Sequence, residues 1–471
     1  MQLSMARKSI IEALSIGGFV GLLAGLWPLG VLPVIGIAAA FLLLLWYPPA
    51  GLGLLLTSRS SMDLFAHIPI LPAPLELNAA STLGLLMILL AAFVLFLKHH
   101  RRQTIDWGGR PALLWAGWIA FAGLGVLVAT LQLGVTGLNL GIRELVRLSS
   151  LLAVYLLVVN LVRSPAGRRV IVWALFLGLI APAIAGFYQL KTGDVHHEVH
   201  GVLRLAGTFA HPNPFATYLV GILAIGVGFW RDLRPSAPRR FLLPLLLLVA
   251  IFLLVFTFSR SGFALLLCTF ILWAWQGSHK RKLAVLSILV VIGVLAAPAI
   301  TWRFQDLSST SLAVDEDPTN SLQWRLQNYY MLYLTFLKSP VVGHGTHSIS
   351  VVNPMELEVR GGYTTGATAH NELMRVLVEH GLIGALLYFA FGVLLLRALY
   401  TLGRDQRASA EGGHPGLGNA LFCYTTALYV LSMLGTEFMG GTMVLYLIMS
   451  FVAVLHLGRR AGSLPSPHRD A

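Results

Sequence analysis

Apolar windows close to the roughly 20 residues that cross a bilayer follow one another along almost the whole of this 471-residue chain. They fall at about 10–26, 29–47, 79–97, 111–131, 144–162, 168–190, 212–230, 241–258, 262–277, 281–301, 381–400, 417–435 and 438–457. Only helices and closed barrels satisfy their backbone in lipid, and runs of this length predict helices. The expected fold is therefore all-α: a polytopic helical membrane protein with about 12 transmembrane helices. A charged fraction of 11% excludes an ordinary water-soluble globule, which carries roughly 25%.

The net charge of +13 is then a topology signal, and nucleic-acid binding falls away as its explanation. Basic runs at Lys98/Arg101/Arg102, Arg163/Arg168/Arg169, Arg231/Arg234/Arg239/Arg240, Lys280/Arg281/Lys282, Arg397/Arg404/Arg407 and Arg459/Arg460 mark alternate ends of successive windows. Those ends are expected in the cytoplasm. The outside segments become 58–78, 132–143, 191–211, the turn at Ser259-Arg260, a long loop at 302–380, and 436–441. Region 1–57 has two windows where parity asks for an odd number of crossings, so a partly inserted hairpin around Trp27-Pro28 is expected there. Arg7 and Lys8 ahead of an apolar run resemble a signal peptide, but without a small-residue cleavage site the run reads as a retained helix.

Four regions follow: N-terminal transmembrane helices (1–301), a large extracytoplasmic loop (302–380), C-terminal transmembrane helices (381–457), and a cytoplasmic tail without expected order (458–471). Within the loop, Leu322, Leu326, Tyr329, Tyr330, Tyr333 and Phe336 recur at helical spacing. They predict an amphipathic helix lying in the membrane interface, anchored by Trp324 and the tyrosines. Lys338-Ser339-Pro340 ends it, and Gly343-His344-Gly345 makes a tight turn whose glycines serve the backbone.

The polar residues that carry chemistry all fall on the outside. Arg143 and Arg147 share a helix face, while Arg204, Arg260 and Arg325 come from three other segments. Guanidinium forks match paired phosphate oxygens, so the five together would suit a pyrophosphate. Each could instead pair with a local carboxylate such as Glu144, or reach to lipid headgroups. His370 precedes a membrane re-entry and can accept a proton from a hydroxyl near neutral pH, or make a single interfacial hydrogen bond. Arg375 and Glu379, four apart, read as a helix-surface ion pair. His196-His197-Glu198-Val199-His200 lacks a metal-site order and reads as a solvated loop. Cys268 and Cys423 read as small apolar side chains. No metal or cofactor is expected.

Taken in order, four stretches resemble the O-antigen ligase and polymerase superfamily of bacterial membrane glycosyltransferases. They are the run from Arg204 to Asn213, Phe258-Ser-Arg260-Ser-Gly262, Trp324-Arg325 followed by the aromatic helix and Pro340 to Gly345, and Ala369-His370-Asn371 running on to Gly381. The resemblance implies transfer of a glycan from undecaprenyl pyrophosphate to an acceptor sugar hydroxyl, metal-independent and with inversion. The acceptor would be lipid A-core for a ligase or a second lipid-linked glycan for a polymerase, at the periplasmic side of the inner membrane. Arg260 and Arg325 match the arginines that hold the pyrophosphate, with Arg204, Arg143 and Arg147 carried over as further candidates. His370 matches the histidine that activates or orients the acceptor, and Asn371, Asn213, His211 and His344 stand as supporting residues. Direct displacement requires the hydroxyl and the leaving group on opposite sides of the anomeric carbon, so histidine and arginines should face each other across a cavity. A lipid or polysaccharide transporter remains the alternative of a different class, and would spread its arginines along a pathway.

Overall fold

The computed structural model describes residues 39–65 except 41, 78–193, 198–199, 202–233, 239–277, parts of 282–293, 321–354, 369–408, 414–435 and 438–463. The windows at 10–26, 29–47 and 281–301 lie wholly or largely outside these residues, as do His196, His197, His200, the rest of the long loop and the last eight residues.

The described chain is helical apart from one two-residue antiparallel strand pair. In order it forms α1 (Pro48–Arg59), α2 (Ala79–His100), α3 (Gly109–Leu161), α4 (Pro165–Leu177), α5 (Ile180–Thr192), β1 (Glu198–Val199), β2 (Val202–Leu203), α6 (Pro212–Asp232), α7 (Arg239–Phe256), α8 (Arg260–Trp275), α9 (Ser321–Lys338), α10 (Ile349–Val352), α11 (Glu372–Ala408), α12 (Pro415–Gly435) and α13 (Thr442–Ser463). Among the described residues seven helical spans are long and apolar enough to cross a membrane, with shorter apolar helices at Phe241–Phe256 and Arg260–Trp275. The polytopic helical membrane fold expected from the windows is what the chain forms.

α3 is two helices in one. Gly134 breaks it with φ 60 and ψ −138, a conformation that glycine adopts without a Cβ penalty. The arms then run antiparallel, since the Trp115 indole donates to the Leu148 carbonyl at 3.0 Å and the Tyr155 hydroxyl to the Gly108 carbonyl at 2.7 Å. The segment 132–143 between the two windows is thus mostly helix, with the reversal made by one glycine. Small residues let other helices approach closely. A Cβ on Gly416 would lie 2.2 Å from the Gly228 carbonyl, which brings α12 against α6. Large apolar side chains such as Leu386, Phe389 and Leu131 stay exposed on outer faces, as expected where lipid is the solvent.

Several basic residues share one end of the bundle. Lys98 closes α2, Arg163 follows α3, Arg231 closes α6, and Arg459 lies in the last turns of α13. α6, α8 and α11 begin at the opposite end, and the loop carrying α9 and α10 covers it. That cover has its own small core of Leu332, Ile349, Ala369 and Val378, with Phe336, Val352 and Met374 against it. α9 turns Gln323, Gln327, Asn328 and Thr335 inward and leaves Leu326, Tyr330, Tyr333, Leu334 and Leu337 outward. The polar face in and apolar face out fit the interfacial position expected for it.

Candidate active site

The glycine turn of the cover locks it to the bundle. α11 is broken at Gly381 (φ 63), which frees backbone groups on both sides of the break. The turn satisfies them: Leu382 and Ile383 donate to the Pro340 and Val341 carbonyls, while His344 and Gly345 donate to those of Val378 and Glu379. Thr346 reaches across to the first arm of α3, its hydroxyl donating to Ala122 at 2.6 Å. Gly343 and Gly345 are needed here because a Cβ on either would come within 2.5 Å of neighbouring backbone. His344 sits 3.0 Å from both the Gln132 side chain and the Thr335 carbonyl, so it ties α3 to α9 and stands away from the cavity described next.

Between the starts of α6, α8 and α11 and the side of α9 lies a cavity of about 200 Å³. Its lining is Arg204, Arg260 and Arg325, the histidines His211 and His370, Asn213 and Ser261, and the rings of Phe258 and Trp324. Among the described residues that line it there are three cations and no carboxylate.

One wall is a hydrogen-bonded patch. The Arg204 guanidinium donates to the Thr257 carbonyl at 3.0 Å and to Asn213 Oδ1 at 3.0 Å, and the Ser259 hydroxyl donates to the same Oδ1 at 2.9 Å. His211 caps α6, its Nδ1 accepting from the Asn213 amide. Ser259 caps α8 through the Gly262 amide, which places Arg260 in the first turn. Helix N-termini carry partial positive charge, so the starts of α6 and α8 add to the field of the arginines.

The other wall comes from α9 and the entry to α11. Asn371 caps α11 by accepting from the Met374 amide at 3.1 Å. His370, one residue earlier, meets Trp324 edge-on with ring centroids 5.5 Å apart. Trp324, half-buried, thus forms a wall of the cavity, while the tyrosines at 330 and 333, expected with it as membrane anchors, face out. Burial, and then the Arg325 charge, lower the His370 pKa to about 4, so the imidazole is neutral at physiological pH. Phe258 and His370 both hold positive φ, 46 and 49, and such strain in non-glycine residues clusters at functional sites.

Arg143 and Arg147 are not part of this lining. Arg147 forks onto Glu144 and donates to the Met439 carbonyl at 2.5 Å, the local-carboxylate alternative that its sequence neighbourhood offered. Arg375 bridges Glu372 and Glu379, both fully buried, which corrects the surface pair expected from their spacing. Glu372 also accepts from the Met439 amide, so the two clusters share one loop. Sequence reasoning gave no role to Phe258 and Ser261. Their signal was their position on either side of Ser259-Arg260, where the chain must turn sharply into a helix. Among the described residues no three His, Cys, Asp or Glu side chains gather as a metal site, and Cys268 and Cys423 form no disulfide.

Residues 245–389, just under a third of the chain, match the family model described as O-antigen ligase. The match takes in Arg260, Arg325, the glycine turn and His370, and leaves Arg204 and Asn213 outside. No curated protein matches the chain.

Proposed function

We propose that this chain, whose segment 245–389 matches the O-antigen ligase family model, is a membrane glycosyltransferase of the O-antigen ligase and polymerase superfamily that moves a glycan from undecaprenyl pyrophosphate to a sugar hydroxyl. One observation carries the proposal: three arginines from three separate segments and His370 line one cavity that holds no carboxylate among its described residues. Transport would be better served by arginines spread along a pathway.

The chemistry follows from those groups. Arg204, Arg260 and Arg325 offset the charge that grows on the diphosphate as the anomeric bond breaks, so diphosphate leaves as a stabilised anion. The acceptor hydroxyl approaches from the opposite face, its oxygen forms the new bond with inversion, and its proton passes toward His370. Arg204 and Arg260 stand on one wall and His370 on the other, which suits such a displacement; Arg325 belongs to the histidine's wall. At a pKa of about 4 the imidazole is a weak base and acts first by accepting a hydrogen bond that orients the hydroxyl. A bound diphosphate reverses the sign of the local field and raises that pKa, so donor binding strengthens the base. The cavity is smaller than the roughly 300 Å³ at which drug-sized pockets begin, so it suits the reacting sugar and diphosphate, with the lipid and the remaining glycan outside.

The acceptor is proposed as lipid A-core, which makes the enzyme an O-antigen ligase of the inner membrane acting on the periplasmic side. The polymerase reading differs only in taking a second lipid-linked glycan as acceptor. Purified protein is given the lipid-linked donor with each acceptor in parallel, and products are weighed by mass spectrometry. Glycosylated lipid A-core identifies a ligase, and an extended lipid-linked chain a polymerase. No product from either, with labelled lipid crossing a liposome bilayer, overturns the transferase reading in favour of a transporter. Including a chelator should change nothing, because arginines supply the charge offset; transfer that returns only on adding a divalent cation would count against that mechanism.

A further inference from the structure

His370 has a left-handed backbone (φ 49), a conformation that a residue with a Cβ keeps only when its surroundings hold it there. The Asn371 cap fixes the chain on the α11 side. On the other side, α9 presents consecutive residues to consecutive carbonyls. The Tyr329 hydroxyl donates to the His370 carbonyl at 3.2 Å, and the Asn328 amide donates to the Ala369 carbonyl at 3.4 Å. Asn353, at the end of α10, donates to Asn328 Oδ1 at 2.8 Å, which leaves the Asn328 NH2 for Ala369. Asn328 is fully buried, so its amide has no exchange with solvent to relax into.

We infer that Asn328 and Tyr329 are positioning residues for His370, holding the two carbonyls that bracket its strained backbone so that the imidazole stays against Trp324 at the cavity. The proposal rests on reading His370 as the group that orients the acceptor. It assigns a division of labour within one helix: Trp324 and Arg325 face the cavity, and one turn later Asn328 and Tyr329 hold the histidine's backbone. Releasing either carbonyl lets residues 369–371 return to an unstrained conformation, and the ring leaves its place without any loss of arginines or of the cavity.

Tyr329→Phe is the decisive variant, since it removes one oxygen and keeps the ring that packs beside it. Two readouts separate positioning from general damage. The first needs no transfer: the rate at which diethyl pyrocarbonate modifies His370 in the detergent-purified protein, read by mass at that residue, with His344 as internal control. Tyr329→Phe and Asn328→Ala should raise His370 modification several-fold and leave His344 unchanged. The second is steady-state transfer, where Tyr329→Phe should lower kcat roughly tenfold, the scale of one lost hydrogen bond, with KM for the lipid-linked donor within about twofold. Tyr330→Phe, an outward neighbour, should move neither. Unchanged His370 modification in Tyr329→Phe overturns the positioning role. Altered modification combined with full transfer by His370→Ala upholds the positioning and overturns instead the acceptor-orienting reading on which it was built.

Discussion

At the scale of single residues, the arginines divide by what lies within reach of each guanidinium. Arg204 is held by the Thr257 carbonyl and Asn213 Oδ1, neither of them anionic, and Arg260 lines the same cavity. Arg260→Ala and His370→Ala should each abolish transfer while the protein inserts and purifies at normal yield; retained transfer in either removes that residue from the mechanism. Arg147 behaves differently, because Glu144 already neutralises it. Truncating it takes the nearest cation from a buried carboxylate, at a cost of roughly 3 kcal/mol, the lower end for a broken buried pair since Arg147 is 22% exposed and His347 stays 3.9 Å from Glu144. Arg147→Ala should therefore lower the midpoint of thermal unfolding in detergent, and KM for the donor should stay put in whatever folds. The sequence offered both fates for Arg147, and spacing alone could not choose, since the Met439 carbonyl that fixes it lies almost three hundred residues away. His370 was legible as a residue, but its low pKa was not, because that depends on burial and on an arginine from another helix. The sign is open to test. A base that must be neutral loses activity as pH falls through its pKa, so kcat/KM, which reports the free enzyme, should keep its acid limb near pH 4. The acid limb of kcat, which reports the donor complex, should lie at higher pH, because the bound diphosphate raises the same pKa. Coincident limbs would mean that the donor does not alter the histidine.

At the scale of elements, the cover over the cavity is held by backbone pairing more than by apolar contact. The break at Gly381 and the turn at 340–345 complete each other's hydrogen bonds, and each needs a glycine at positive φ for the approach. The periodicity of α9 was plain in the sequence, as was the turning role of Gly343 and Gly345. That Trp324 alone of the aromatic residues of α9 lines the cavity was not, because that depends on His370, which arrives from another helix start. The two antiparallel arms of α3 were legible as two windows, but not that a single glycine, Gly134, makes the reversal and leaves the rest of 132–143 helical. Gly381→Ala puts a Cβ 2.3 Å from the Val341 carbonyl at φ 63, so strain and collision add. The expected outcome is a protein that still inserts but loses transfer, with faster proteolysis between α9 and α11. Gly123→Ala, where a Cβ would meet nothing within 4 Å, is the matching control and should be silent.

At the scale of the whole molecule, the cavity lies at the end of the bundle opposite Lys98, Arg163, Arg231 and Arg459. Lys191, near the end of α5, and Lys338, at the end of α9, share the cavity's end: Gln189 of α5 donates to the Gly207 carbonyl in the loop that follows Arg204, and α9 forms the cavity wall. Arg101 follows α2, and Arg404 lies near the far end of α11, among the basic residues. All four side chains are exposed, so each can be replaced by cysteine without disturbing packing. By the positive-inside rule Arg101 and Arg404 are expected in the cytoplasm, which would put the proposed site on the outer side. In a background with Cys268 and Cys423 replaced by serine, a membrane-impermeant maleimide added to intact cells with a permeabilised outer membrane should label Lys191→Cys and Lys338→Cys. It should reach Arg101→Cys and Arg404→Cys only after the inner membrane is opened. The reverse pattern would place the arginines and His370 in the cytoplasm, where a donor on the outer leaflet is out of reach, and the transferase would have to act on the lipid-linked glycan before export. Labelling of all four from outside would show that the two ends are not separated by a bilayer at all, and the membrane fold itself would have to be redrawn.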